Sequence, residues 1–188
     1  MFEGLFKRSK GISIESKSQK KTALMIIAPQ DFRDEECFET KEELEKAGVK
    51  VTIASLTRGE KKGKLGGAIM AERSIAEVKM EDYDAVIFIG GMGSKIYFKN
   101  PIALDIARQA FKTGKVVAAI CISPIILANA GLLSEKRATV SEGPEAEKVF
   151  KEKGVIYTGK NVEVDGKIIT GNGPKASREF GRKIAEMI

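Results

Sequence analysis

Three runs of five or six residues in this 188-residue chain are wholly apolar: Ala23 to Ala28, Ala85 to Ile89 and Val116 to Ile120. A strand with water on one face alternates apolar with polar residues, so runs like these belong to a sheet buried on both faces. Longer stretches with helical periodicity separate them and supply the cover: Asp34 to Ala47, Pro101 to Thr113, Pro124 to Ala130 and Pro144 to Lys153. Each stops at a glycine, Gly48, Gly114, Gly131 and Gly154 in turn, as helices that end in a left-handed residue do. Val49 to Ser55, Gly67 to Glu72, Val155 to Tyr157, Val162 to Val164 and Lys167 to Thr170 read as further strands, the last two joined at the hairpin signal Asp165-Gly166. Gly173-Pro174 opens a terminal helix running to Ile188, proline being suited to a first helical position. Strands alternating with helices predict an α/β fold with a mainly parallel sheet covered on both faces.

Charge and cysteine usage narrow the function classes. The formal charge is +6, but residues 1 to 21 carry Lys7, Arg8, Lys10, Lys17, Lys20 and Lys21 against only Glu3 and Glu15, while the rest is nearly balanced. That predicts a basic N-terminal extension over 1–21 and a folded domain over 22–188 with no basic face for nucleic acid. Two cysteines, Cys37 and Cys121, cannot build a secreted disulfide framework, and no stretch is long and apolar enough for a membrane span. The start of the chain has no apolar signal region, so the expected location is cytoplasmic.

In parallel α/β sheets, sites form beyond the carboxyl ends of the strands. Three unusual features fall at such ends: Asp31 to Glu36, Gly90 to Gly93, and Cys121. The run ending in Cys121 is followed at once by a new apolar segment from Pro124, with small residues at Ala119 and Ser123. This is the pattern of a nucleophile elbow, a tight strand-to-helix turn that projects its nucleophile above the sheet. The helix start aimed at the sulfur should favour the thiolate. The amides of Ile122 and of Gly91 are the expected oxyanion donors, glycine allowing its N–H to approach a reacting atom closely. Gly90 and Ser123 complete the expected substrate-binding surface. Glu36 is the candidate acid or base, beside Asp34 and Glu35, which the spacing alone does not separate from it. Cys37 follows Glu36 directly and reads as a small buried residue; pairing with Cys121 needs Cα atoms within about 7 Å.

Histidine is absent from the whole chain. Every Cys-His and Ser-His arrangement is thereby excluded, in one subunit or across a homo-oligomer, and the commonest zinc ligand is missing. Gly90 to Gly93 lacks both the third glycine of a dinucleotide fingerprint and the Gly-Lys-Ser/Thr of a phosphate loop. Neither a metal nor a cofactor is expected.

The chain resembles the ThiJ/PfpI superfamily, with its PfpI-type intracellular proteases, Parkinsonism-linked deglycase and chaperone proteins, and glutathione-independent glyoxalases. The resemblance covers residues 22–188. It rests on Ala119-Ile120-Cys121 with Pro124, on Ile89-Gly90-Gly91, on Glu36 placed twelve residues before Gly48, and on Thr170-Gly171-Asn172-Gly173-Pro174 with Ser177 and Glu179-Phe180. It implies a flavodoxin-like three-layer α/β/α sandwich of the class I glutamine amidotransferase type, a reactive Cys121 hydrogen-bonded to Glu36, and a homodimer or higher homo-oligomer. Three positions depart from the pattern: Ile122 stands where the protease branch has histidine, Lys95 where it has a glutamate lent across a subunit interface, and Ser123 where the elbow has glycine. The favoured expectation is therefore a cysteine-dependent hydrolase or lyase acting on small carbonyl substrates, glyoxalase- or deglycase-like, with Glu36 as acid/base. Peptide hydrolysis, and a non-catalytic redox-sensing stress protein or chaperone, are the alternatives.

Overall fold

The computed structural model describes residues 20–188; nearly all of the expected basic extension lies outside the described residues. Twelve strands and five helices follow in chain order: β1 Thr22–Ile26, β2 Gln30–Phe32, α1 Asp34–Lys46, β3 Lys50–Ser55, β4 Gly59–Gly63, β5 Ala68–Ala71, β6 Arg73–Ser74, β7 Ala85–Phe88, α2 Pro101–Lys112, β8 Val116–Ile120, α3 Pro124–Asn129, β9 Arg137–Ala138, α4 Pro144–Glu152, β10 Ile156–Tyr157, β11 Val162–Asp165, β12 Ile168–Gly171 and α5 Ser177–Met187.

The three apolar runs become the centre of a seven-stranded sheet ordered β11-β12-β8-β7-β1-β3-β6. All its pairings are parallel except β11 with β12, the hairpin turned at Gly166 with φ 60°. Alternate residues of β1 feed opposite cores. Ala23 and Met25 join Cys37, Leu44, Phe180 and Ile184 beneath α1 and α5, whereas Leu24 and Ile26 join Ala103, Ile106, Ile126 and Phe150 beneath α2, α3 and α4. These are the three layers of a flavodoxin-like α/β/α sandwich, and the double burial explains why the runs carry no polar alternation. The chain leaves β1 for β3 on one side and returns to β7 on the other. The strand order therefore reverses at β1, the kind of point beyond whose carboxyl end ligands bind in open α/β sheets.

Several elements differ from the sequence expectation. The strand expected over Gly67 to Glu72 is β5, in a separate three-stranded sheet with β2 and β4. β4, Gly-Glu-Lys-Lys-Gly, has no apolar pattern to announce it. Val155 to Tyr157 shortens to β10, which pairs with β9 outside the main sheet. Gly173-Pro174 opens a 3-10 turn over Pro174–Ala176, and the terminal α-helix starts only at Ser177.

Candidate active site

Cys121 leaves β8 with φ 63°, one of three non-glycine residues at positive φ among those described. Such backbone costs on the order of 1–3 kcal/mol and persists where its surroundings hold it in place. Three hydrogen bonds do so: Cys121 N–H donates to the Gly171 carbonyl of β12 at 2.9 Å, Ser141 N–H donates to the Cys121 carbonyl at 2.8 Å, and Ser123 N–H donates back to Ile120 at 3.1 Å. The Ser123 hydroxyl donates to the Ile89 carbonyl at 2.9 Å, tying the elbow to the end of β7. This hydroxyl sits on a fully buried residue and is turned into the protein.

Glu36, in the first turn of α1, is fully buried. Its Oε2 accepts from Gly90 N–H at 3.0 Å. Oε1 has no hydrogen-bond partner among the described residues, and Cys121 stands beside the carboxyl, both lying 2.5 Å from where a Cβ on Gly90 would be. The structure also separates the three neighbouring acids. Asp34 accepts from Leu65 N–H and Gly67 N–H, each at 2.7 Å, and so anchors the β4–β5 connection. Glu35 holds the Arg33 guanidinium at 2.8 and 3.1 Å. Glu36 alone turns inward to the sulfur.

The glycine loop fits between these parts with no space to spare. A Cβ on Gly90 would lie 2.5 Å from both Cys121 Cβ and Glu36 Oε2. Gly91, at φ 98°, would drive a Cβ to 2.3 Å from the Asp31 carbonyl oxygen. The Gly90 carbonyl accepts from Arg33 N–H at 3.0 Å, locking this loop to the start of α1. The amides of Gly91 and Ile122 favour the ionised form of the Cys121 sulfur. Cys121, Glu36, Gly90, Gly91 and Ile122, named from the sequence, thus meet at one point.

Protonation departs from the simple expectation of a thiolate favoured by the helix start. Burial pushes Glu36 up to about 8, against the pull of the Cys121 thiol, the Gly90 amide and the Arg33 guanidinium. Cys121 is pushed up to about 12, first by burial and then by the Glu36 charge, with the Gly91 and Ile122 amides pulling the other way. α3 has only six residues, so the field at its start is too weak to outweigh these forces. The pair titrates as a unit, and a carboxyl that keeps its proton no longer opposes the thiolate beside it.

Other singled-out residues lie apart. Lys95 pairs with the exposed Glu145 at 2.5 Å. Cys37, on the inward face of α1, is fully buried, and both cysteines are free thiols. Of the two residues that hold the elbow backbone, Gly171 belongs to the Thr170-to-Pro174 motif and Ser141 carries no local sequence signal. A cleft of about 330 Å³ opens beside them, lined by Ser141, Tyr157, Asn172, Gly173, Pro174 and Lys175 among others. No helix among the described residues is long and apolar enough to cross a membrane.

The family model described as the DJ-1/PfpI family matches residues 21–187. An uncharacterized protein of Methanocaldococcus jannaschii is 43% identical over 179 residues, covering 94% of this chain and 87% of its own. A protein of Pyrococcus abyssi named as a deglycase is 31% identical, covering 88% of this chain and 98% of its own. The crystal structure of a ThiJ/PfpI domain protein from Brachyspira murdochii superposes with a TM-score of 0.85 at 32% identity, covering 88% of this chain and 95% of that one.

Proposed function

Because the chain belongs to the DJ-1/PfpI family, we propose that it is a cysteine-dependent enzyme acting on small reactive carbonyls, of the glyoxalase or deglycase type. The observation that carries this reading is the wedging of Gly90 between Cys121 and the buried Glu36 carboxyl, whose Oε2 it binds at 3.0 Å, at a site where Glu36 is pushed up to about 8 and the Gly91 and Ile122 amides favour the ionised sulfur. In the one-proton form of the pair, the Cys121 thiolate attacks the aldehyde carbon of a 2-oxoaldehyde. A C–S bond forms, the carbonyl π pair moves to oxygen between the two amides, and Glu36 supplies the proton that gives a hemithioacetal. Glu36, now a carboxylate, takes the hydrogen from that carbon and returns it to the adjacent one, while a hydroxyl proton passes between the two oxygens. The product is the thioester of a 2-hydroxy acid. Water hydrolyses it, releasing the acid and the free thiol; the sum is oxoaldehyde plus water to hydroxy acid. A deglycase reaction uses the same attack on the carbonyl adduct of an amine or thiol, which leaves.

None of these steps needs histidine. Peptide hydrolysis does need a donor for a poor amine leaving group, and Ile122 occupies the position where the protease branch has one.

The test is production of lactate from methylglyoxal, followed by proton NMR. Wild type should form lactate, Cys121→Ala should form none above background, and Glu36→Gln should be slower by about a hundredfold or more. Equal rates for wild type and Cys121→Ala would overturn the reading.

A further inference from the structure

The end of the sheet away from Cys121 carries a basic surface. β1, β7, β8 and β12 run parallel, so their amino ends lie together, opposite the carboxyl ends where the elbow forms. A cleft of about 310 Å³ opens among these amino ends, lined by Lys21, Lys115, Lys167, Asp84, Met187 and Ile188 among others. Backbone carbonyls fix two of the ammonium groups: Lys115 donates to Met80 and Tyr83, and Lys167 donates to Met187 at 2.9 Å. Phe111 and Lys112, both exposed, end α2 directly before the Thr113 and Gly114 that also line the cleft. Lys20 is exposed next to Lys21. Five lysines thus stand here against Glu81, Asp82 and Asp84, and the Asp84 carboxylate is already engaged by Thr22 N–H at 2.9 Å. Phe111, Met187 and Ile188 place apolar groups on the same face.

The chain also enters the fold at this end, since Lys20 and Lys21 lead directly into β1. Residues 1–19 lie outside the described residues, and their sequence carries apolar and basic groups together. Phe2, Leu5 and Phe6 recur at the i, i+3, i+4 spacing of one helical side, and Lys7, Arg8 and Lys10 follow against Glu3 alone. Apolar side chains beside a basic cluster are the two signals that hold a protein on an anionic bilayer, and one signal alone holds it weakly. Duplex nucleic acid offers phosphates to the lysines but no apolar interior to Phe2, Leu5 and Phe6. We infer that the N-terminal extension and the amino-end face of the sheet dock together on an anionic lipid surface, with Phe2, Leu5 and Phe6 in the headgroup boundary and the lysines facing the phosphates. In that orientation the elbow points away from the bilayer, and Cys121 stays open to substrates arriving from water.

The test is sedimentation of the full chain with vesicles of phosphatidylcholine containing about one-third phosphatidylglycerol, compared with vesicles of phosphatidylcholine alone. The anionic vesicles should bind about tenfold more tightly or better, and about 0.5 M salt should remove most of that difference. Phe2→Ser combined with Phe6→Ser should weaken binding to the anionic vesicles by about tenfold or more. Lys112→Glu combined with Lys167→Glu, at two exposed positions of the folded domain, should weaken it by about tenfold as well. Urea unfolding of each variant verifies that the domain is intact. Equal binding to the two kinds of vesicle overturns the inference. An effect confined to one of the two pairs overturns the joint docking of extension and sheet end. Retention of duplex DNA without binding to either vesicle overturns it in favour of nucleic acid.

Discussion

Gly90 and Cys121 are packed so closely that the α-hydrogen of one occupies the only space a side chain could take against the Cβ of the other, a Cβ at Gly90 lying 2.5 Å from it. The same missing atom would strike Glu36 Oε2 at 2.5 Å and the Ile120 carbonyl at 2.8 Å. Gly90→Ala should therefore cost about 1–3 kcal/mol by overpacking, and it should separate the carboxyl from the sulfur. Urea unfolding reads the first effect. The second appears as a changed pH profile for Cys121 alkylation in whatever fraction still folds.

Glu36 holds its proton more tightly folded than unfolded, at about 8 against 4.5. The stability this gives is fully present below about pH 4.5 and is lost as pH rises through about 8. Glu36→Gln has no proton to lose. Its stability relative to wild type should therefore rise between about pH 5 and pH 9, by an amount on the order of a few kcal/mol. Urea midpoints across that range check the sign; a constant difference would contradict it.

The same substitution removes the carboxylate that raises the thiol. Cys121 in Glu36→Gln should ionise at lower pH than in wild type, seen as ultraviolet thiolate absorbance against pH.

Two cysteines that differ in exposure should react at different rates. Cys37 is fully buried and its thiol is pushed up to about 12 by burial, whereas Cys121 is partly exposed. Iodoacetamide on the native protein should label Cys121 first, with Cys37 on the order of a hundredfold slower and released only by unfolding. Peptide mapping distinguishes the two.

Ser123→Ala deletes the donor that the Ile89 carbonyl receives inside the elbow. The loss should be about 1–3 kcal/mol in unfolding free energy, the range for leaving a buried acceptor unpaired. Because the hydroxyl points into the protein, KM for a carbonyl substrate should not change.

What the sequence disclosed follows the range of the forces involved. The central strands were legible because double burial writes itself as an unbroken apolar run, as in Ala23 to Ala28. The elbow and glycine loop were legible for a similar reason, being local patterns at strand ends. Choosing among Asp34, Glu35 and Glu36 was not, because the choice depends on how α1 is rotated against β7 and on where distant amides stand; Asp34 is claimed by Leu65 and Gly67. β4 was invisible for the same cause, since it is held by a partner sheet rather than by an apolar face. Ser141 acts through its backbone, so no side-chain pattern could mark it.

The elbow draws its backbone partners from Ile120 on one side and from Ser141 and Gly171, both later in the chain, on the other. A ribosome reads Cys121 long before it reads Gly171, and until β12 arrives the left-handed turn has lost one of its tethers. The order of synthesis thus sets a schedule. The nascent thiol emerges as an ordinary cysteine, and its left-handed placement beside Glu36 awaits nearly the whole length of the fold.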